Sequence, residues 1–240
     1  MDFEDTGVVV TGASRGLGKE VARSLARRGA RVVMVARSRE ALDAAVAEIR
    51  HEGGQAHALP FDVGDKEAVH RIAGAANALV GKVDLVVHAA STLGPLPMPT
   101  LLETECEEME RVLSVNLIGP FRLTKVFAGA MALRGHGVVI FVSSDAATSA
   151  YPNWGAYGLS KSAQDHLART FAAELAPVRF LSVDPGEMDT QMHADALPEA
   201  DPRTLARPAD VASRFLTILR RAEQIPNGTR LLAADFEAAE

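Results

Sequence analysis

Tyr157 and Lys161 stand four residues apart in Tyr157-Gly158-Leu159-Ser160-Lys161, so on a helix they share one face. A free tyrosine ionises near pH ~10 and is a weak base at neutral pH. Bringing it to about 7 takes about 4 kcal/mol of preference for phenolate. One ammonium at about 4 Å supplies roughly that much at an effective dielectric of about 20. The pair is a workable acid–base device for interconverting a carbonyl and an alcohol. Alone, the spacing is also that of an idle surface pair. Tyr151 gives the internal contrast, with Pro152 after it and Gly155 rather than lysine four residues on. Ser144 ends an apolar run, where its hydroxyl could bind a substrate oxygen; Ser143 competes as a structural serine, and Asp145 caps or lines the site. Asn116 lies between Val115 and Leu117 in a helical stretch. A buried amide there needs partners, and it could hold a water or a backbone group that links to Lys161.

A second stretch offers a place for an anion. In Val8-Val9-Val10-Thr11-Gly12-Ala13-Ser14-Arg15-Gly16-Leu17-Gly18 an apolar run ends at threonine and three glycines follow within seven residues. Val21, Ala22, Leu25 and Ala26 then recur at helical spacing. The pattern reads as strand, tight turn, helix. Gly12 permits the turn, while Gly16 and Gly18 let a phosphate and the neighbouring backbone approach. The helix start aims free N–H groups and its positive dipole end at the loop, which suits a dinucleotide pyrophosphate.

These residues need a frame that brings them together. Apolar strands are expected at 7–11, 30–36, 56–61, 83–89, 138–142, 177–183 and 229–233, alternating with helices. The helices are expected at 17–28, 41–49, 69–79, 104–133 (bent near Gly119-Pro120), 157–175 and 210–221. Residues 185–208 carry four prolines and read as an irregular segment covering the substrate. Strands this apolar are buried on both faces, which implies an α/β fold with a doubly wound, parallel, seven-stranded sheet in one domain spanning 1–240. The ligand crevice of such a sheet lies beyond the strands' C-terminal ends. Thr11–Gly18, Arg37, Asp62, His88–Ser91, Ser143–Ser144 and Asp184–Thr190 all fall there.

An acid at the end of the second strand would bind the ribose 2′-hydroxyl of NAD. Here Val35-Ala36-Arg37-Ser38 has a guanidinium instead, and Arg15 can reach the same corner. Two arginines suit the 2′-phosphate of NADP, although Arg37 also fits as one of several solvated charges. Asp62 could take the adenine amino group or cap the third helix.

Taken in order, Thr11-Gly12-x-x-x-Gly16-x-Gly18, Asp62, Asn116, Ser144, Tyr157-x-x-x-Lys161 and Pro185-Gly186 resemble the single-domain short-chain dehydrogenase/reductase family over nearly the whole chain. The thirteen-residue interval from Ser144 to Tyr157 is also that family's. The resemblance implies a Rossmann-like fold and a catalytic set of Asn116, Ser144, Tyr157 and Lys161. Tyr157 is then the acid/base and Ser144 orients the substrate oxygen. Lys161 binds the nicotinamide ribose and lowers the tyrosine pKa, and Asn116 holds a proton-relay water. NADP is expected against Gly12, Ser14, Arg15, Gly16, Leu17, Gly18, Arg37, Ser38, Asp62, Val63, Ala89, Ala90, Tyr157, Lys161, Pro185, Gly186 and Thr190, the last at the carboxamide. Three places depart from the family pattern. His88-Ala89-Ala90-Ser91 replaces Asn-Asn-Ala-Gly, the sixth strand lacks an asparagine near Phe180–Leu181, and Asn227-Gly228-Thr229-Arg230-Leu231-Leu232 lacks the closing Asp-Gly-Gly.

Composition narrows the partners. A net charge of -6 does not favour nucleic acid, and no apolar run is long enough to span a membrane. The single cysteine, Cys106, fits a reducing cytoplasm and an ordinary helix thiol. His88 reads as structural, and three metal ligands cannot be assembled around His193, so no metal is expected. Leu93, Tyr151, Trp154, Met188, Met192 and His193 are the pocket candidates. The expected activity is hydride transfer between NADP(H) and a small carbonyl or alcohol, in a homodimer or homotetramer by resemblance. The rivals are a non-catalytic NADP-binding regulator and an epimerase or dehydratase on the same scaffold.

Overall fold

The computed structural model describes residues 2–239. The strands are β1 (Gly7–Thr11), β2 (Arg31–Ala36), β3 (Gln55–Pro60), β4 (Leu85–His88), β5 (Val138–Val142), β6 (Arg179–Asp184) and β7 (Arg230–Leu232). They form one sheet in the order β3-β2-β1-β4-β5-β6-β7, and each neighbouring pair is parallel. The order reverses between β1 and β4, which opens a crevice at their C-terminal ends.

The strand pattern explains the two layers around this sheet. Successive side chains point to opposite faces. Val8, Val10, Val32, Met34, Leu85, Val87, Ile140 and Leu181 pack on one side with α1 (Gly16–Ala26), α2 (Arg39–His51) and α8 (Pro208–Arg220). Val9, Val33, Val35, Val86, Val139, Phe141 and Phe180 pack on the other with α3 (Ala68–Val80), α5 (Gly119–Arg134) and α6 (Gly155–Glu174). The doubly wound sheet expected from the apolar runs is the observed one. No helix among the described residues is long and apolar enough to cross a membrane.

Two expectations need correction. The long fourth helix is interrupted, not just bent: α4 (Cys106–Leu113) leads into a π-helical turn, Ser114–Ile118, before α5 begins. Pro120 supplies a reason. An α-helical residue 120 would donate its N–H to the carbonyl of Asn116, and proline has none. That carbonyl instead accepts from Gln164 Nε2 at 2.9 Å. The second correction concerns 185–208, which is not wholly irregular. It holds α7 (Gln191–Ala196), a 3-10 turn at Pro202–Thr204 and a bridge between Met188 and Ala206.

Candidate active site

The glycine turn closes the lower end of the crevice. Gly12 adopts φ 66°, and a Cβ there would lie 2.6 Å from the Ala90 nitrogen. Thr11 Oγ1 accepts from that same Ala90 N–H at 3.2 Å, so β1 and β4 are tied where the chain turns away. A Cβ on Gly18 would lie 2.5 Å from the Gly12 carbonyl oxygen, so only glycine lets α1 start this close to β1. Gly16, at φ 55°, faces the methyl of Thr190.

From this turn a cleft of about 1260 Å³ runs along the sheet's C-terminal edge. It brings together Gly12, Ser14, Arg15, Gly16, Leu17, Gly18, Arg37, Ser38, Asp62, Val63, Ala89, Ala90, Ser144, Tyr157, Lys161, Pro185, Gly186 and Thr190. Asn116 lies outside it, fully buried. Three of these side chains also have structural tasks. Ser38 Oγ caps α2 by accepting from Ala41 N–H at 3.4 Å, and Thr190 Oγ1 caps α7 through His193 N–H at 3.2 Å. Asp62 does not cap α3, whose N-cap residue is Glu67; its Oδ1 accepts from Gly64 N–H at 2.8 Å.

At the other end of the cleft, α6 carries Tyr157 and Lys161 on one face as the spacing required. A Cβ on Gly158 would lie 2.8 Å from the Ala146 carbonyl oxygen, so this glycine lets α6 approach the turn that follows Ser144. Lys161 Nζ sits 5.6 Å from the Tyr157 ring centre and donates to the Val142 carbonyl at 2.7 Å. Gln164 Oε1 lies 3.5 Å from Nζ, so this one amide joins Lys161 to the Asn116 carbonyl. The Asn116 side chain is occupied elsewhere. Its Oδ1 accepts from Thr92 N–H at 2.8 Å, and its Nδ2 donates to Thr92 O and Ser160 Oγ, both at 2.9 Å. The link to Lys161 foreseen for Asn116 therefore runs through its backbone and Gln164.

The electrostatics correct the simplest form of the tyrosine–lysine argument. Burial pushes the Tyr157 phenol up to about 12, with Asp145 and Asp184 adding to the rise; a proton aimed at it by the Ser144 or Ser91 hydroxyl would oppose it. Burial also brings the Lys161 ammonium down to about 8, against the pull of Asp165 and Asp184. One ammonium does not bring the ionisation of this phenol down to neutral pH, because the site that holds them disfavours both charges. Burial likewise brings His88 down to about 3. It bonds Thr124 Oγ1 at 2.9 Å and stacks on Phe141, a structural role as expected.

Around the phenol lies an apolar chamber of Leu93, Met98, Ala146, Trp154, Met192 and Ala196. Trp154 meets the Tyr157 ring edge-on at 5.7 Å. Sequence reasoning missed Gln164, Asp165 and Arg230. The first two follow Lys161 by three and four residues, which could have placed them on its face. Arg230 bonds Asp165 and Asp184 across 65 and 46 residues, and no local signal announces that.

Fold and cleft define a class: a Rossmann-like α/β protein whose ligand cleft opens at the sheet's switch point. The chain belongs to the short-chain dehydrogenase/reductase family, whose short chain dehydrogenase signature matches residues 6–201. It is 30% identical over 231 residues to 7alpha-hydroxysteroid dehydrogenase of Escherichia coli K12, covering 92% of this chain and 89% of that one. A short chain dehydrogenase of Shigella flexneri complexed with NADP superposes with a TM-score of 0.87 at 29% identity, covering 97% of this chain and 99% of that one. A 7alpha-hydroxysteroid dehydrogenase complexed with NADH and 7-oxo glycochenodeoxycholic acid gives 0.86 at 27%, covering 100% and 97%.

Proposed function

We propose that this protein is an NADP-dependent oxidoreductase that interconverts a carbonyl and an alcohol, with Tyr157 as the acid/base. One observation carries the reading: the glycine turn, Ser144, Tyr157 and Lys161 line the same cleft. The cradle fits a dinucleotide. Gly12 and Gly18 stand where a Cβ would strike backbone, and α1 begins at the loop with its free N–H groups. Relatives hold either NADP or NADH; the choice of NADP here rests on Arg15 and Arg37. When bound, the nicotinamide supplies or accepts the hydride.

The chain's own residues handle the rest. Ser144 orients the substrate oxygen beside the Tyr157 hydroxyl, which gives it a proton in reduction and takes one in oxidation. Lys161 holds the cofactor ribose and opposes the carboxylates around the phenol. The chamber of Leu93, Trp154 and Met192 excludes water and favours a substrate with an apolar body, under a cover formed by 185–208. The single domain spans the chain. Phe121 on α5 and Leu159 on α6 are exposed, on the faces through which the family resemblance implies subunits pair.

The test is a panel of ketones and aldehydes with NADPH. Carbonyl-dependent NADPH oxidation is expected. Tyr157→Phe should lose about 10²–10⁴-fold in kcat while still binding NADPH. Turnover that survives this change, or a wild-type protein that binds no NADPH, would overturn the reading.

A further inference from the structure

The Ser144 hydroxyl has one proton, and the structure directs it away from Tyr157. Ser144 Oγ lies 2.9 Å from Asp145 Oδ1. An ionised carboxylate only accepts, so the serine must be the donor. Asp145 is held in place: Oδ1 also accepts from the Ala146 N–H at 2.8 Å, and Oδ2 accepts from Tyr151 Oη at 2.9 Å. Ser144 Oγ also accepts from the Ala146 N–H at 3.2 Å, so before substrate binds it offers Tyr157 its remaining lone pair rather than a proton. A phenol can donate to that lone pair, but a phenolate cannot use it.

Other charges facing the phenol do not cancel this one. Asp184, at the end of β6, is paired with Arg230 of β7 at 2.8 Å, and Arg230 also holds Asp165 at 3.0 Å. Lys161, on α6, is the nearby cation, and it is occupied by the Val142 carbonyl. Glu187 lies farther out, 3.8 Å from His193. Asp145 has no ion pair among the described residues.

We propose that Asp145 is a positioning residue that keeps Tyr157 as a neutral proton donor, the state that carbonyl reduction needs at neutral pH. This rests on Tyr157 being the acid/base. In that step the carbonyl carbon accepts hydride from the reduced nicotinamide, leaving it oxidised. The π electron pair moves to oxygen, which takes the Tyr157 proton. Water then reprotonates the phenolate, leaving hydroxide to the solvent.

The chain has only two tyrosines, Tyr151 and Tyr157. In Tyr151→Phe the ultraviolet tyrosinate band therefore titrates Tyr157 alone, without substrate. Adding Asp145→Asn should move that titration down by about one pH unit, about tenfold more phenolate at a given pH. An unmoved or raised titration overturns the proposal. If alkali unfolds the chain first, kinetics decide. In Asp145→Asn alone, the fall of reduction and the rise of oxidation with pH should both begin at lower pH, and unmoved limbs overturn it. Tyr157→Phe keeps the two readings apart. Retained turnover there removes the acid/base role, whereas lost turnover with an unmoved titration removes only the role of Asp145.

Discussion

Arg15 and Arg37 are exposed at the cleft and enter no ion pair among the described residues. Their cationic neighbours differ: Lys19 is held by Glu48 at 2.7 Å, and Arg23 by Glu20 and Glu48 at 3.0 and 2.6 Å. The two free guanidiniums are those available to a 2′-phosphate. A hydrogen bond to a charged group contributes about 1.5–3 kcal/mol, and about 1.4 kcal/mol is tenfold in affinity. Arg37→Asp should therefore weaken NADPH binding by roughly ten- to a hundredfold and leave NADH binding equal or better. Fluorescence titration with each nucleotide measures this, and an unchanged NADPH Kd would rule out Arg37 as the phosphate ligand. The place of Arg37 at the cleft was legible because its strand and the missing acid are both local features. The state of Tyr157 was not. Spacing shows that an ammonium lies one helical turn away, but the burial that dominates both groups is a property of the packed molecule.

Elements become legible when a period or a breaker names them. All seven strands and their layers follow from alternating apolar runs, and β1 and β5 keep their expected ends. The π turn was hidden because Val112, Val115 and Leu123 satisfy a helical stripe with or without it. The pairing of Asn116 with Pro120 was the available clue, since a proline four residues on must free that carbonyl. The glycine turn makes a sharper prediction. At Gly18 a Cβ would meet the Gly12 carbonyl oxygen at 2.5 Å, a backbone contact that no rotamer relieves. Gly18→Ala should destabilise the fold by about 1–3 kcal/mol. For a chain of this size that lowers the Tm by several degrees, at about 2–4 °C per kcal/mol. Gly74 in α3 is the control, with nothing within 4 Å of its would-be Cβ. Gly74→Ala should hold or raise the Tm through helix propensity alone. Equal thermal shifts for the two would mean that the close approach at Gly18 is not what fixes α1 to β1.

On the scale of the molecule, the site depends on a clasp that no stretch of sequence displays. Arg230 on β7 reaches Asp165 on α6 at 3.0 Å, Asp184 on β6 at 2.8 Å and the Ser144 carbonyl at 2.9 Å. Ser143 Oγ donates to the same Asp165 oxygen at 2.9 Å. One guanidinium thus fixes the ends of β5 and β6 against the helix that carries Tyr157 and Lys161. It does so from the last strand, where the family's usual Asp-Gly-Gly close is absent. Both carboxylates are buried, with 4% of each residue exposed, so neither can turn to water if the arginine is removed. Breaking a buried pair from one side costs about 3–5 kcal/mol, because the charge left behind has no partner. Arg230→Met should lose that much in urea unfolding at neutral pH. Asp165→Asn in the Arg230→Met background should recover part of the loss by removing one of the two charges. A deficit below about 1 kcal/mol, the range of a surface pair, would show that the clasp is not needed to hold these elements together.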